Sequence, residues 1–489
     1  MSLRVQFRVG TAQKLTTLSY NDAGLTVSDG RLIPIRQVIA VRRDGRTLHV
    51  SYVGRNKKKG PMSLTHIVGT LEAEAEDAVL DAWIETLMHM AYQGIGAKRG
   101  RRLKVIINPY GGTKKGVAIF NKTVEPILRT AQCTLDVIHT TRGGHAYEIA
   151  KSTSLDYDAM VIVSGDGLIH EVLNGFAHHE QPIKAFRIPL APIPTGTGNA
   201  LSLNLLGMDE RPFLQTKMQK ELTGMQDGFD VSAAALNVVK GLPMNVDLFS
   251  LTQVCIIISF HVKPMDFKGG KRTISFMSQG MGLIADLDIG TEHLRWMGEI
   301  RFTVGLVKGL IQFKPCPVQL SYRAVDSETD KDKMYDMMQK RRGNDKKGDD
   351  AVLPQTSAET DDTSLPPLKY SFDRQKGAIC SRDYMAFPVS LADDGLIDIV
   401  AHRVSSRANL LAGFGEAPKG VMYWDPSQSY IKAHAYRVKP LAPKGNFAVD
   451  GEIFPFEEFQ VETHQGLGSV LSPYGYYAAE FARKSGSKA

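Results

Sequence analysis

The sequence has 489 residues, more than one hydrophobic core usually organises, so we expect two or three domains. With 43% hydrophobic and 23% charged residues it is typical of a globular protein, and its longest strongly apolar run, 254–260, is too short to cross a bilayer. A net charge of +7 suits an anionic partner but does not choose among nucleic acid, a phosphorylated cofactor and an acidic membrane.

The chain ends and the cysteines carry few signals. The N-terminus lacks the apolar core of a signal peptide, and the last four residues are not a prenylation box, so we expect a cytoplasmic protein. The four cysteines are far apart and show no paired spacing. Neither a disulfide framework nor a zinc site is therefore predicted.

Residues 1–97 predict a small antiparallel sheet closed by one helix. Polar and apolar positions alternate in short runs, and apolar residues then recur at helical spacing around Trp83 over 73–92. This order resembles a pleckstrin-homology-like (PH-like) module. The basic linker that follows, 98–104, can contact acidic lipid or simply be solvated.

From residue 105 the pattern becomes apolar strand, glycine-bearing turn and amphipathic helix, repeated four times, which is typical of a parallel α/β sheet. We predict a Rossmann-like α/β lobe over 105–245. Its four loops should lie together at the carboxyl ends of the strands, where open α/β sheets bind ligands. The predicted strands are 105–107, 135–138, 159–163 and 188–193.

Residues 246–480 predict a second lobe of antiparallel β-strands, because short alternating runs separated by Asp-Gly turns return there. Within it, 325–367 lose apolar periodicity and are expected to be a disordered insertion. The stretch 254–270 reads as an unusual insertion or as an error in the gene model, and 481–489 as a tail.

The four glycine loops are the strongest chemical signal, because a phosphate is held by backbone N–H groups at a helix start and side chains there would block its approach. None has the Walker A ending or the Rossmann spacing of three glycines, which disfavours an ordinary P-loop enzyme or dehydrogenase. A single loop can be no more than a tight turn before a helix. Four in succession predict a nucleotide site.

Asp166, between two glycines in Ser164-Gly-Asp-Gly, is the candidate general base. A carboxylate at a strand end can accept the proton of an attacking hydroxyl while nearby amides hold phosphates. The alternative is that Asp166 caps the helix that begins near Leu168. Local spacing does not separate the two interpretations.

Six ordered motifs resemble the sphingosine or sphingoid long-chain base kinases, within the wider group of diacylglycerol and ceramide kinases. The resemblance covers roughly residues 104–477. Its markers are Asn108-Pro-Tyr-Gly-Gly, Ser164-Gly-Asp-Gly-Leu-Ile-His-Glu-Val-Leu-Asn-Gly, Pro194-Thr-Gly-Thr-Gly-Asn-Ala-Leu, Ala285-Asp-Leu-Asp-Ile-Gly-Thr-Glu, Asp394-Gly-Leu-Ile-Asp and Val449-Asp-Gly-Glu.

The resemblance implies a lipid kinase. It implies that ATP, with a bound Mg²⁺ ion, lies in a cleft between an α/β lobe and a β-sandwich lobe. It implies that Asp166 is the base, with Ser164, Gly165 and Gly167 close to the reacting hydroxyl. The sequence singles out no magnesium ligands. The residues implied to contact ATP are Asn108, Pro109, Tyr110, Thr140, Thr141, Arg142, Gly143, Gly144, Glu171, Gly196, Thr197, Gly198, Arg295, Arg301, Asp450, Gly451 and Glu452.

Asp288 matches the acid that binds the polar head of the substrate. A carboxylate suits the ammonium group of a sphingoid base and discriminates against the uncharged amide of ceramide. Asp286, Asp288 and Glu292 could instead form a solvated acidic edge. Tyr110 and Thr113 depart from the residues that relatives usually carry there, so nucleotide affinity can differ.

We therefore predict ATP-dependent phosphorylation of the C1 hydroxyl of a sphingoid base, by a cytoplasmic protein peripherally associated with membranes. The alternatives are a ceramide or diacylglycerol kinase, which shares the phosphate loops, and a catalytically weak membrane-binding scaffold. Nucleic acid is not an expected partner, because the basic residues are not interleaved with aromatic ones. Oligomeric state is not predictable from these features.

Overall fold

The structure is a computed structural model. It describes residues 5–9, 14–55, 60–71, 77–112, 114–196, 198–207, 230–253, 272–291, 304–305, 308–309, 316–325, 330–347, 364–369, 387–402, 420–426 and 428–477, and all structural statements concern these. The predicted insertion at 254–270 and the tail at 481–489 lie outside them.

The N-terminal part is one antiparallel sheet of seven strands, in the order β4-β3-β2-β1-β7-β6-β5, closed by helix α1, Asp77–Ala91. Trp83 of α1 is 2% exposed and its ring centroid lies 5.4 Å from that of Tyr20. Sheet and helix lie where the sequence predicts them, and the PH-like interpretation remains a prediction. The strands are β1 Val5–Val9, β2 Lys14–Asn21, β3 Gly24–Val27, β4 Leu32–Pro34, β5 Val38–Asp44, β6 Thr47–Arg55 and β7 Met62–Leu71.

Four parallel strands follow, in the order β9-β8-β10-β11, and they confirm the four predicted repeats. All six residues of β10 are buried, as expected for a parallel strand with both faces covered. The strands are β8 Arg102–Ile107, β9 Thr134–His139, β10 Ala159–Ser164 and β11 Leu190–Pro194. The helices are α2 Gly116–Ile119, α3 Glu125–Thr130, α4 His145–Lys151, α5 Asp166–Ala177, α6 Pro182–Phe186, α7 Ala200–Leu206 and α8 Val231–Lys240, with a π-helical turn, Phe120–Val124, between α2 and α3.

The remaining strands pair with one another in antiparallel fashion, and six of them extend the parallel sheet to ten strands. They are β12 Leu242–Gln253, β13 Arg272–Ser275, β15 Val318–Ala324, β16 Ile397–His402, β17 Gln428–Pro440 and β20 Phe459–Ser472. A separate sheet joins β14 Gln279–Met281, β18 Phe447–Val449 and β19 Glu452–Phe454, and its inner residues share one hydrophobic cluster with the larger sheet. Helices α9, Leu283–Gly290, and α10, Lys331–Lys347, complete this part.

The predicted lobe boundary at 245/246 falls inside β12. This happens because β20 pairs with β12 on one side and with parallel β11 on the other, at Leu190 and Val470. The two predicted lobes are therefore joined through one hydrogen-bonded sheet, a long-range pairing that sequence periodicity does not reveal.

The prediction of disorder over 325–367 is wrong for α10. Asp330 caps this helix by accepting from the amides of Asp332 and Lys333. Met334 and Met338, one turn apart, are 1% and 0% exposed. Among residues 331–341, whose side chains the structure describes, these two alone are buried, so the overall polarity of the segment hides the helix.

The basic linker is tied to the fold. Arg101 is 4% exposed and donates to the carbonyl oxygens of Val238 and Gly241 at the end of α8, at 2.5 and 2.6 Å. Its neighbours form ion pairs within the chain: Lys98 with Asp158, Arg99 with Glu85, Arg102 with Asp156 and Lys104 with Asp136. These contacts favour a structural role for the linker over lipid contact.

No helix in the described ranges combines the length and apolar character that a membrane span requires.

Candidate active site

The four glycine loops meet at the carboxyl edge of the parallel strands. The amide of Asn108, after β8, donates to the carbonyl of Val163 in β10, and the amide of Thr140, after β9, donates to that of Ile107. The amide of Thr195, after β11, donates to the carbonyl of Ser164. The sequence prediction that these loops share one edge is thus confirmed.

Glycine is required where the loops after β10 and β11 touch. A Cβ on Gly165 would collide with the carbonyl oxygen of Gly198, and one on Gly196 would collide with the backbone of Gly165. Gly112 has φ +53° and packs against the carbonyl of Thr195. Glycine therefore lets the loops pack backbone against backbone, and we call the edge that they form the glycine cradle. Open α/β sheets bind ligands at such an edge.

Asp166 caps a helix, but a different one from that expected. It is the first residue of α5 and 3% exposed, and its Oδ2 and Oδ1 accept from the amides of Ala200 and Leu201, at 2.8 and 3.2 Å. These amides begin α7, which follows the next glycine loop. The carboxylate is therefore held in a fixed position between two loops.

Glu171 plays the same role for the loop after β9. Its Oε2 accepts from the amide of Ala146, in the first turn of α4, at 3.2 Å. Burial raises the pKa of Glu171 above its ordinary value, while the nearby backbone amides of Gly144, Ala146 and Tyr147 oppose the rise. The sequence predicts that the N-termini of α4 and α7 bind phosphate. In the structure, amides at these N-termini donate to carboxylates of α5 instead.

The rest of the β9 loop is more open. Arg142 is exposed and pairs with Glu148 at 2.6 Å, and a Cβ added to Gly143 would meet open space. Thr140 is buried, while the amide of Thr141 donates to the His145 ring. Among residues 140–144, Arg142 supplies the positive charge.

The β8 loop presents a side chain to solvent. Asn108 Oδ1 accepts from the amide of Tyr110 at 2.9 Å, which forms a tight turn over Pro109. Tyr110 is 69% exposed. An exposed ring at the mouth of the cradle is free to stack on a planar base.

The hairpin between β18 and β19 reaches the same edge. Glu452 Oε1 would lie 2.5 Å from a Cβ on Gly167, so its carboxylate rests on the first turn of α5. Asp450, implied by the resemblance to contact nucleotide, is 1% exposed and faces the protein interior. Gly451 has φ +87°, as the turn requires.

The marker motif Asp394-Gly-Leu-Ile-Asp has a structural role. Lys432 lies between Asp394 and Asp398, with its Nζ 2.8 and 3.1 Å from their carboxylates. Although burial lowers it, the two carboxylates raise the pKa of Lys432 above its ordinary value. This buried cluster joins β16 and the residues before it to β17. Its charged groups are paired with each other.

Several residues that the sequence analysis singles out are not placed in the site. Thr113, Thr197, Glu292, Arg295 and Arg301 lie outside the described residues. Asp288 is on α9, but only its backbone is described; Asp286 of that helix accepts from Asn446 at 2.7 Å.

No group of three metal-ligating side chains occurs in the described part of the chain. A magnesium ion that arrives with ATP needs only one or two protein carboxylates, since phosphates and water complete its shell. Glu452, beside the cradle, is a carboxylate that fits this need.

One residue of the α5 motif, His170, was absent from the sequence-based site. It is fully buried against Asp450. The position of His170 in its motif did not indicate this contact, because Asp450 lies 280 residues away in the sequence.

The sequence matches the family model of the diacylglycerol kinase catalytic domain over residues 102–250, which includes all four loops. It is 32% identical over 450 residues to sphingoid long chain base kinase 4 of Schizosaccharomyces pombe, covering 90% of this chain and 88% of that protein. It is 29% identical over 392 residues to sphingosine kinase 1 of Homo sapiens, covering 76% and 91%. This similarity along most of both chains means that the protein belongs to the sphingoid long-chain base kinase family and is a lipid kinase.

Proposed function

We propose that the protein transfers the γ-phosphate of ATP to the C1 hydroxyl of a sphingoid long-chain base. The observation that carries this proposal is the Asp166 carboxylate, held by two amides beside the glycine cradle. This carboxylate would accept the hydroxyl proton while the loops receive the phosphates. The names of the relatives support a sphingoid base as substrate.

ATP would lie along the carboxyl edge of the parallel strands. Gly112, Gly165 and Gly196 let the loops pack backbone against backbone at this edge, a Cβ on Gly143 would meet open space, and Tyr110 is exposed for the base. Magnesium would neutralise charge on the phosphates, with Glu452 as its candidate protein ligand. The contribution of this chain is then mainly positioning.

Asp288 is proposed to bind the ammonium group of the substrate. Its helix, α9, follows directly on β14, whose partner β18 leads into the Glu452 hairpin. This places the helix beside the element that we assign to the nucleotide. A charge-assisted hydrogen bond to the ammonium group would be lost with ceramide or diacylglycerol.

We also propose peripheral contact with membranes, because the substrate is amphiphilic and its polar head must reach the cleft from a lipid surface. The surface would be that of an intracellular membrane or of the plasma membrane.

The test is transfer of labelled γ-phosphate from Mg-ATP to sphinganine, sphingosine, phytosphingosine, ceramide and diacylglycerol in mixed micelles. We expect labelling of the three bases. Asp288→Asn should reduce the preference for sphinganine over ceramide, whereas Asp286→Asn, which keeps an acceptor for Asn446, should not. Preference for ceramide or diacylglycerol would refute the head-group assignment, and no labelling at all would favour the scaffold.

Asp166→Asn should lower kcat by at least about 100-fold, the usual contribution of a general base. It also weakens the cap of α7, so the control is Asp230→Asn, which weakens the analogous cap of α8 at Ser232 and Ala233. Both variants should lose thermal stability, but only Asp166→Asn should lose turnover. Full activity in Asp166→Asn would remove the base assignment.

A further inference from the structure

A buried hydrogen bond joins α5 to the hairpin that carries Glu452. His170 lies on α5 one turn after Asp166, and its Nδ1 is 2.9 Å from Oδ2 of Asp450. Neither side chain is exposed to solvent. Because a carboxylate only accepts, His170 must donate from Nδ1.

The Asp450 carboxylate is saturated by protein donors. Besides His170 it accepts from the Ser275 hydroxyl at 2.8 Å and from the amides of Phe276, Met277 and Ser278 at 3.0 to 3.1 Å. A carboxylate offers about four lone-pair positions, so five donors leave none for a ligand. Direct nucleotide contact by this carboxylate, implied by the family resemblance, does not fit this geometry.

The backbone of Asp450 is also special. It has φ +51° and Gly451 has φ +87°, and the residues on either side, Val449 and Glu452, are paired in the hairpin. Two consecutive positive φ angles define a two-residue turn of type I′. Asp-Gly is a favoured sequence for this turn, because aspartate tolerates a positive φ better than most residues do.

The turn determines where Glu452 lies. Glu452 follows the turn directly, and its carboxylate rests on Gly167 in the first turn of α5. His170 belongs to that same helix, so one rigid element contacts the hairpin at two points, through His170 and through Gly167. A shift of the turn would therefore move the Glu452 carboxylate across the start of α5.

We propose that His170 is a positioning residue, which through Asp450 holds the hairpin so that Glu452 faces the magnesium-bound phosphates of the nucleotide. The assignment rests on the proposed function for the identity of the ligand, a magnesium nucleoside triphosphate. Asp450 is the connecting residue and Glu452 the one that acts on the ligand.

The first test compares two replacements of His170. His170→Leu removes the donor and should raise KM for Mg-ATP at least about tenfold, the order of effect expected when a binding group is misplaced. KM for sphinganine should not change. His170→Asn keeps an N–H at the Nδ1 position and should restore most of the nucleotide affinity.

The matched control is Asn174, one turn further along α5. Its side chain donates to the carbonyl of Ile274 and accepts from the amide of Ile274, at 2.8 and 2.9 Å, so it also joins α5 to the second half of the chain. Asn174→Leu should lower the melting temperature as His170→Leu does, yet leave KM for Mg-ATP unchanged. Equal melting shifts without any change of nucleotide KM in His170→Leu would reduce His170 to a purely structural role.

A double-mutant cycle tests whether His170 acts through Glu452. In a Glu452→Ala background, His170→Leu should cause no further loss of nucleotide affinity, and an additive loss would contradict the proposal. Calorimetric binding of a non-hydrolysable Mg-ATP analogue is the readout, because it needs no lipid. A wild type that binds the analogue but does not phosphorylate sphinganine would refute the proposed function and leave this test intact.

Discussion

Gly165 and Gly167 stand two residues apart, yet a side chain would meet different obstacles at each. At Gly165 the obstacle is the carbonyl oxygen of Gly198, part of a backbone that cannot yield. At Gly167 it is the end of the Glu452 side chain, which can rotate away. Gly165 is therefore needed for the packing of two loops, whereas Gly167 leaves room for the carboxylate of Glu452.

Gly167→Ala should weaken nucleotide binding with little loss of stability, because only the Glu452 carboxylate must move. Gly165→Ala should cost about 1–3 kcal/mol of stability through overpacking, and activity would fall with it. Melting temperature and KM for Mg-ATP, measured on both variants, separate the effects. If Gly167→Ala bound Mg-ATP as the wild type does, the contact with Glu452 would have no role in the site.

Elements differed in how well the sequence predicted them. The four strand–loop–helix repeats were predictable because their period is local, and β10 and β11 are buried along their whole length. The caps were not, since Asp166 bonds to amides 34 and 35 residues away, in the neighbouring loop. The Asp450-Gly451 dipeptide indicated a turn, but its saturated carboxylate depends on strands brought together only by the fold.

Helix α10 illustrates an element of which few described side chains are buried. Met334 and Met338 pack with Val389, Val400, Tyr423 and Tyr430. Met338→Ala should lower the free energy of unfolding of this region by about 2–5 kcal/mol, as for other buried truncations. Its neighbour Met337 is 42% exposed, so Met337→Ala is the control.

The helix also contains several lysines and arginines, so limited trypsin digestion reports on its opening. Met338→Ala should be cut within 331–347 faster than the wild type, and Met337→Ala at the wild-type rate. Equal rates for all three proteins would mean that α10 is not held by this cluster in solution.

At the scale of the whole molecule, the N-terminal sheet is part of the body of the enzyme. One hydrophobic cluster runs from Phe7 and Trp83 to Val105 and Val238. At its edge Lys240, 2% exposed, donates from Nζ to the carbonyl of Ala91 at the end of α1. Sequence periodicity predicted the N-terminal sheet and the repeats separately. The packing between them depends on long-range contacts such as that of Lys240 with Ala91, which are 149 residues apart.

Lys240 also lies 3.1 Å from the centre of the Tyr92 ring. Burial, with Arg36 and Arg101 nearby, lowers the pKa of Lys240 to about 6, whereas an unfolded lysine has a pKa of about 10.4. Between these values the unfolded chain binds more protons than the native one, so the native state gains stability as pH rises. The gain is at most about 1.4 kcal/mol per pH unit.

Lys240→Met removes this titration. We expect the melting temperature of the wild type to rise relative to Lys240→Met between about pH 6.5 and 8.5, because other titrating groups cancel in the difference. Lys98→Met, which breaks only the exposed pair with Asp158, should show no such trend. Parallel profiles for wild type and Lys240→Met would mean that Lys240 keeps its charge at this interface, with the Tyr92 ring and the Ala91 carbonyl compensating for lost water.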